Sequence, residues 1–153
     1  MKLVRVGKPG AERPGLIDAE GRVRDLSGVL DGLGPQALSD EALARLAKVD
    51  PATLPVVQAE RFGVPWTGIG KIVAIGLNYA DHAAESGMAA PPAPLTFTKF
   101  ASSIAGPTAD VPLSGTMVDW EVEIVAVIGR PCSQVPVADA WDVVAGLTLG
   151  QDI

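Results

Sequence analysis

The chain has 153 residues, 48% of them hydrophobic and 20% charged, which suits a packed domain and excludes a disordered tail. A net charge of −6 without any basic cluster argues against a nucleic-acid partner. The longest apolar runs, around 72–77 and 124–129, are too short to span a bilayer, so no membrane partner is expected.

Cys132 is the only cysteine, so no internal disulfide can form. The opening Met1-Lys2-Leu3-Val4-Arg5 lacks the apolar core of a signal peptide, and the expected location is cytoplasmic. Seventeen glycines and thirteen prolines punctuate the chain, which favours short strands over a helical bundle. An acidic chain that handles an anionic substrate needs a local positive centre, and a bound divalent cation supplies one.

Residues 1–34 alternate strand-like runs with turns: Leu3 to Val6, Gly15 to Ile17, and Arg22 to Leu26, with a hairpin turn at Asp18-Ala19-Glu20-Gly21. Ser39 is placed to cap a helix over 40–48, with Leu43, Leu46 and Ala47 on its inner face. Pro51 and Pro55 end that helix and begin an extended linker. Residues 1–70 are therefore expected to form a small N-terminal accessory domain and linker without chemistry of its own.

From Lys71 the pattern changes. Lys71 to Ile75 has the length of a strand, Asn78 is placed to cap a helix from Tyr79 to Ser86, and Gly87 to end it. A proline-rich connector leads to a strand at Leu95 to Phe100. A third strand is expected over 118–128, a short helix over 137–144, and a last strand from Leu147. The sequence ends at Ile153 within that strand, so the chain is expected to be truncated, with 71–153 as the first part of a catalytic domain.

In the run Asp119-Trp120-Glu121-Val122-Glu123-Ile124, strand alternation puts Asp119, Glu121 and Glu123 on one face. Glu121 and Glu123 then lie about 7 Å apart along the strand, close enough to share a hard cation such as Mg²⁺, Mn²⁺ or Ca²⁺. A solvated acidic face explains the same alternation. The face continues as Val125 and Val127, however, as in a strand that enters a core with acids at its mouth.

His82, the only histidine, and Glu85 stand three apart on the helix. The carboxylate there either fixes the imidazole tautomer for general-base work or makes an ordinary exposed ion pair. Lys99 shares its face with Leu95 and Phe97, so it either points inward to hold an anionic substrate or snorkels from the strand end.

Gly76 to Glu85, Thr96 to Lys99, Asp119 to Glu123 and Val144 to Asp152, in this order and spacing, resemble the fumarylacetoacetate hydrolase family. The opening segments around Glu12 to Leu16 and Arg24 to Gly28 resemble its subgroup of ureidoglycolate lyases and 2,4-diketo-3-deoxy-sugar-acid hydrolases. The resemblance implies an α+β, mostly β fold with a mixed β-sandwich roll, and a homodimer. It implies Glu121, Glu123 and Asp152 as ligands to Mg²⁺ or Mn²⁺, and His82 with Glu85 as a water-activating dyad.

The implied activity is cleavage of a C–C bond in a 2,4-diketo acid, such as an acylpyruvate, to pyruvate and a second acid. Ureidoglycolate lyase, decarboxylase and isomerase chemistries belong to the same family, and a catalytically silent fragment that acts in binding or dimerisation is the alternative of another class. Gln151 departs from the family's usual Asn before the ligand Asp.

Overall fold

A computed structural model describes residues 1–153. Eight strands and two α-helices follow one another: β1 (Lys2–Val6), β2 (Arg13–Ile17), β3 (Val23–Asp25), α1 (Asp40–Leu46), β4 (Val56–Val57), β5 (Ile72–Gly76), α2 (Ala80–Glu85), β6 (Leu95–Lys99), β7 (Val122–Ile128) and β8 (Val144–Gln151). All strand pairs are antiparallel. The α+β, mostly β character expected from the sequence is the one observed. Contacts divide the chain into two compact units, one of Met1–Gly68 with Gly106–Ile153 and one of Ile69–Ala105.

In the larger unit, β1 to β4 form a four-stranded sheet in sequence order. The β2–β3 turn is where Asp18 was expected to start it. Asp18 Oδ1 accepts from the amides of Glu20 and Arg22 at 3.1 and 2.8 Å, and Gly21 takes φ +80°, which a residue without Cβ adopts freely. Asp18 also anchors Arg24, a buried cation of the chain. Arg24 Nε donates to Asp18 Oδ2 at 2.8 Å, and Arg24 Nη1 donates to the Leu54 carbonyl at 2.8 Å. A buried charge is tolerated when it is paired and hydrogen-bonded in this way.

Leu16, Leu26, Leu30, Leu33, Ala37 and Leu46 form the core beneath the sheet, with Leu3, Val29, Leu54 and Trp66 packed against it. No buried side-chain nitrogen or oxygen lacks a hydrogen-bond partner. A second ionic hub closes the sheet edge. Glu12 accepts from Arg5 at 3.0 Å and from Arg61 at 2.9 Å, which ties the β1–β2 loop to the segment around Arg61.

Three expectations for this unit are corrected. Ser39 caps α1 through its side chain, which accepts from the Ala42 amide, but Ala42 and Leu46 form the buried face, with Leu43 half-buried and Ala47 exposed. The core lies on the side of α1 toward the preceding 3₁₀ turn at Pro35–Leu38, which rotates the inner stripe by about one position. The segment after Pro55 is not a free linker, because Val56 and Val57 pair with Arg24 and Val23 and complete the sheet. The region expected as a helix over 137–144 is a 3₁₀ helix, Val137–Val143, and the last strand begins at Val144 rather than Leu147. β-Branched residues at both ends of that helix favour extended backbone, and Val144 already pairs with Ile128.

The β7–β8 pair belongs to the same unit. Arg130, just past β7, bonds the Asp40 carboxylate at the start of α1 and the Asp142 carbonyl. Gly129 passes close beneath the helical turn at 35–38. A Cβ there would stand 2.7 Å from Ala145 Cβ and 2.9 Å from the Leu38 carbonyl oxygen.

In the smaller unit, β5 and β6 pair with Ile72 opposite Lys99 and Gly76 opposite Leu95. Helix α2 follows β5 after Leu77, a left-handed residue with φ 50°. Asn78 was expected to cap α2, but the N-cap position is Tyr79 and no side chain caps it. The left-handed Leu77 sets the chain direction, and Asp81 bonds the His82 amide at 3.0 Å. Gly87 ends the helix as expected, in the left-handed region at φ 66°. No helix of the chain is long and apolar enough to cross a membrane.

Two outcomes follow from these contacts. Burial raises the Asp18 carboxyl pKa, but hydrogen bonds from Arg24 and from the backbone and side chain of Arg22 outweigh it and hold the group well below the usual carboxylate range. A depressed carboxylate stabilises the fold above its unfolded pKa of about 4 and loses that contribution as pH falls below it. Asp18→Asn should therefore lower the melting temperature at pH 7, with a gap to wild type that narrows below about pH 4; a constant gap across that range would contradict the pairing. Gly129→Ala should destabilise the fold by roughly 1–3 kcal/mol through overpacking, read by urea unfolding.

Candidate functional site

The β7–β8 register decides where the acidic residues stand. Val122 pairs with Gln151, Glu123 with Gly150 and Ile124 with Leu149. One step further out, the Asp152 amide donates to the Glu121 carbonyl at 2.9 Å, which sets Asp152 opposite Glu121. Residues directly opposite in an antiparallel pair share a face. The backbone therefore puts Glu121, Glu123 and Asp152 on one face of the hairpin, with Gly150 opposite Glu123.

That face is the inner one. Glu123, Val125 and Val127 are half-buried, as are Thr148, Gly150 and Asp152 across from them, whereas Val122, Ile124 and Ala126 are exposed. The face runs from Glu121, which is exposed, through Glu123 to Val125 and Val127, which are half-buried. Gly150 lets Val125 approach closely, since a Cβ at 150 would lie 3.0 Å from Val125 Cγ2.

Strand β7 begins at Val122, four residues later than expected, because Asp119 turns back on the chain and accepts from the Trp120 amide at 2.8 Å. Asp119 is thereby separated from Glu121 and Glu123. Glu121 nevertheless stays in register. Its carbonyl is held by Asp152 and its amide donates to Gln151 Oε1 at 3.1 Å. Gln151 is the residue whose structural task the sequence reading left unassigned, and its position beside Asp152 on β8 was the available signal.

The donor chemistry of the three carboxylates suits an oxygen-preferring divalent cation. No three His, Cys, Asp or Glu side chains of the chain converge closely enough to close around one. Glu121, Glu123 and Asp152 therefore fit such an ion in type and in backbone placement, without a closed coordination shell.

The remaining candidates lie in the smaller unit. His82 and Glu85 are on α2, three apart as expected, and both are exposed. Lys99 closes β6 opposite Ile72, is half-buried, and has Nζ 5.7 Å from the centroid of the Phe97 ring. That contact is of cation–π type and holds the ammonium on the Phe97 face. A cavity of about 480 Å³ in the larger unit, bordered by Lys8, Arg13, Gln58, Glu60 and Arg61, contains none of the candidate residues.

Residues 71–153, just over half of the chain, match the family described as fumarylacetoacetate (FAA) hydrolase, C-terminal. The chain belongs to the fumarylacetoacetate hydrolase family. It is 51% identical over 156 residues to a Burkholderia multivorans protein provisionally named a hydrolase, with 100% of this chain and 55% of that protein covered.

Among solved structures it is similar to one from Mycobacterium smegmatis provisionally assigned as HpcE, at TM-score 0.76 and 35% identity. It is also similar to the fumarylacetoacetate hydrolase of the psychrophilic Exiguobacterium antarcticum, at TM-score 0.77 and 25% identity. Each of these alignments covers 99% of this chain and 55% of the other. The chain thus spans about half the length of the relatives it matches.

Gln151→Leu removes the acceptor for the Glu121 amide and keeps the side-chain bulk. Hydrogen exchange at Glu121 should accelerate about five- to tenfold, the equivalent of one hydrogen bond. An unchanged rate in the NMR exchange experiment would show that Gln151 does not hold that end of β7.

Proposed function

We propose that this chain carries the carboxylate and dyad residues of a divalent-metal-dependent hydrolase that cleaves a C–C bond in a 2,4-diketo acid, giving pyruvate and a second acid. The observation that carries the reading is the β7–β8 register, which brings Glu121, Glu123 and Asp152 to one face, with Glu121 exposed and Glu123 and Asp152 half-buried, in a chain of this family. Glu121, Glu123 and Asp152 would hold Mg²⁺ or Mn²⁺. When bound, the ion supplies positive charge that polarises the substrate's carbonyl oxygens and offsets the charge of an anionic substrate.

The protein groups divide the remaining tasks. His82 accepts a proton from water through one ring nitrogen, while Glu85, one turn along α2, receives the N–H of the other and keeps the tautomer correct. The oxygen so freed adds to the outer carbonyl carbon. The bond between that carbon and its neighbour then breaks, its electron pair passing into the pyruvate enolate, which takes up a proton to give pyruvate. Lys99 supplies a fixed positive charge for a substrate carboxylate. Gln151 keeps Glu121 extended and opposite Asp152.

The same carboxylates explain how an acidic chain would accept an acidic substrate. Three carboxylates on one face repel such a molecule until a divalent cation offsets most of their charge and offers open coordination positions to the substrate's oxygens. Binding of metal and of keto acid should accordingly be coupled, and the keto acid should bind weakly when chelator is present.

Calorimetric titration with Mn²⁺ tests the metal reading directly. Wild type should bind close to one ion per chain, and Glu121→Gln should abolish that binding while retaining the circular dichroism spectrum of the folded protein. A folded wild type that binds no Mn²⁺, or a Glu121→Gln variant that binds it equally well, would sink the proposal. The dyad is tested separately. His82→Ala should cut turnover of an acylpyruvate by about 10²–10⁴-fold, the usual range for loss of a general base, with Mn²⁺ affinity unchanged.

A further inference from the structure

The four-stranded sheet has two faces, and the leucine core occupies one of them. The register sets Val6 opposite Arg13, Gly15 opposite Asp25 and Val23 opposite Val57. Strand alternation puts these positions on the face away from Leu3 and Leu16. Val6, Arg13 and Val57 of that second face border the cavity of about 480 Å³, whose walls are the loop after β1 and the segment after β4.

The two walls are tied together. The Gly7 amide donates to the Arg61 carbonyl at 3.1 Å. Arg61 Nη1 donates to the Gly7 carbonyl at 3.1 Å and to Glu12 Oε1 at 2.9 Å. Glu12 Oε2 accepts from the Gly10 amide at 3.0 Å, and the Lys8 carbonyl accepts from the Ala11 amide at 3.0 Å, which fixes the loop that carries Lys8. A cavity framed in this way stands ready before a ligand arrives, so binding orders little of the chain.

The charge around it differs from that of the chain at large. Lys8 and Glu60 are exposed and enter no ion pair. Arg13 commits Nη1 to Asp25 yet has a side chain 56% exposed, which leaves its other guanidinium donors open. Arg5 and Arg61 share a single carboxylate, that of Glu12. Together with their ion partners, the charges bordering the cavity are four cations against three anions, in a chain whose net charge is −6. One excess positive charge suits a monoanion, and a dianion would keep one charge uncompensated. Val57 and Pro9 add apolar surface to the same cavity.

We propose that this cavity binds a small monocarboxylate that carries a short apolar body. Lys8 and the open donors of Arg13 receive the carboxylate in charge-assisted hydrogen bonds. Arg61 adds positive field, and Val57 and Pro9 contact the hydrocarbon part. Glu60 opposes the anion by like charge and so limits the affinity. The cavity contains none of Glu121, Glu123, Asp152 and His82, so the inference stands or falls independently of the metal reading.

The test is an NMR titration of the 153-residue chain with sodium butyrate in metal-free buffer, with ionic strength held constant by sodium chloride. Amide signals of Gly7, Lys8 and Val57 to Arg61 should shift to saturation, while those of β7 and β8 stay in place. Lys8→Gln should weaken binding about fivefold, and Glu60→Gln should tighten it about twofold, a gain that loss of structure cannot produce. The proposal is overturned if those signals do not saturate, or if butanol or sodium chloride alone moves them in the same way. It is equally overturned if inorganic phosphate binds the cavity more tightly than butyrate, or if either variant binds butyrate as the wild type does.

Discussion

The antiparallel register between β7 and β8 is the constraint on which the rest of the reading hangs. Because side chains alternate along a strand, a slip of one residue in β8 would carry Asp152 to the face of Ile124 and leave Glu121 and Glu123 without it. The register is held at both ends. Gly129 and the irregularity near Ile128 seat one end against the 3₁₀ turn at Pro35–Leu38, helped by Arg130 on Asp40. At the other end Glu121 is gripped through its carbonyl by Asp152 and through its amide by Gln151. Precise placement of acidic groups is achieved here with backbone hydrogen bonds and a glycine rather than with a rigid core.

The N-terminal sheet works differently. Its stability comes from a leucine-rich core and from two ionic hubs, Asp18 with Arg24 and Glu12 with Arg5 and Arg61. Arg24 extends the first hub to the Leu54 carbonyl and Arg61 brings a distant segment to the second, and each hub leaves its polar atoms satisfied, which is the condition under which partly buried charge is tolerated. The outer face of β7 and β8, by contrast, is apolar and exposed.

Much of this was legible in the residues. Runs of strand length between turns located β1, β2, β5 and β6 to within a residue or two, since glycine and proline punctuate the chain locally. Turn and cap chemistry was equally local: Asp18 with Gly21, Ser39 at the start of α1, and Gly87 at the end of α2 act through their own neighbours. The acidic alternation at Glu121 and Glu123 was visible for the same reason, as was the three-residue spacing of His82 and Glu85. These features depend on distances of a few residues, which sequence spacing sets by itself.

What the sequence could not decide involved partners remote along the chain. Val56 and Val57 look like linker until Arg24 and Val23 of β3, far back in the sequence, offer them a ladder, and Ala42 becomes part of the inner face of α1 only because the core lies on that side. Asp119 shares the alternation of Glu121 and Glu123 on paper, but its own bond to the Trp120 amide takes it out of the strand. The pairing of Asp152 with Glu121 is of the same kind. Composition and alternation determined that this chain has acidic strand positions, a lone histidine beside a glutamate, and short strands between turns. Only tertiary pairing decided which acids face each other and which apolar face stays open, because register is set by hydrogen bonds between segments whose separation no local pattern encodes.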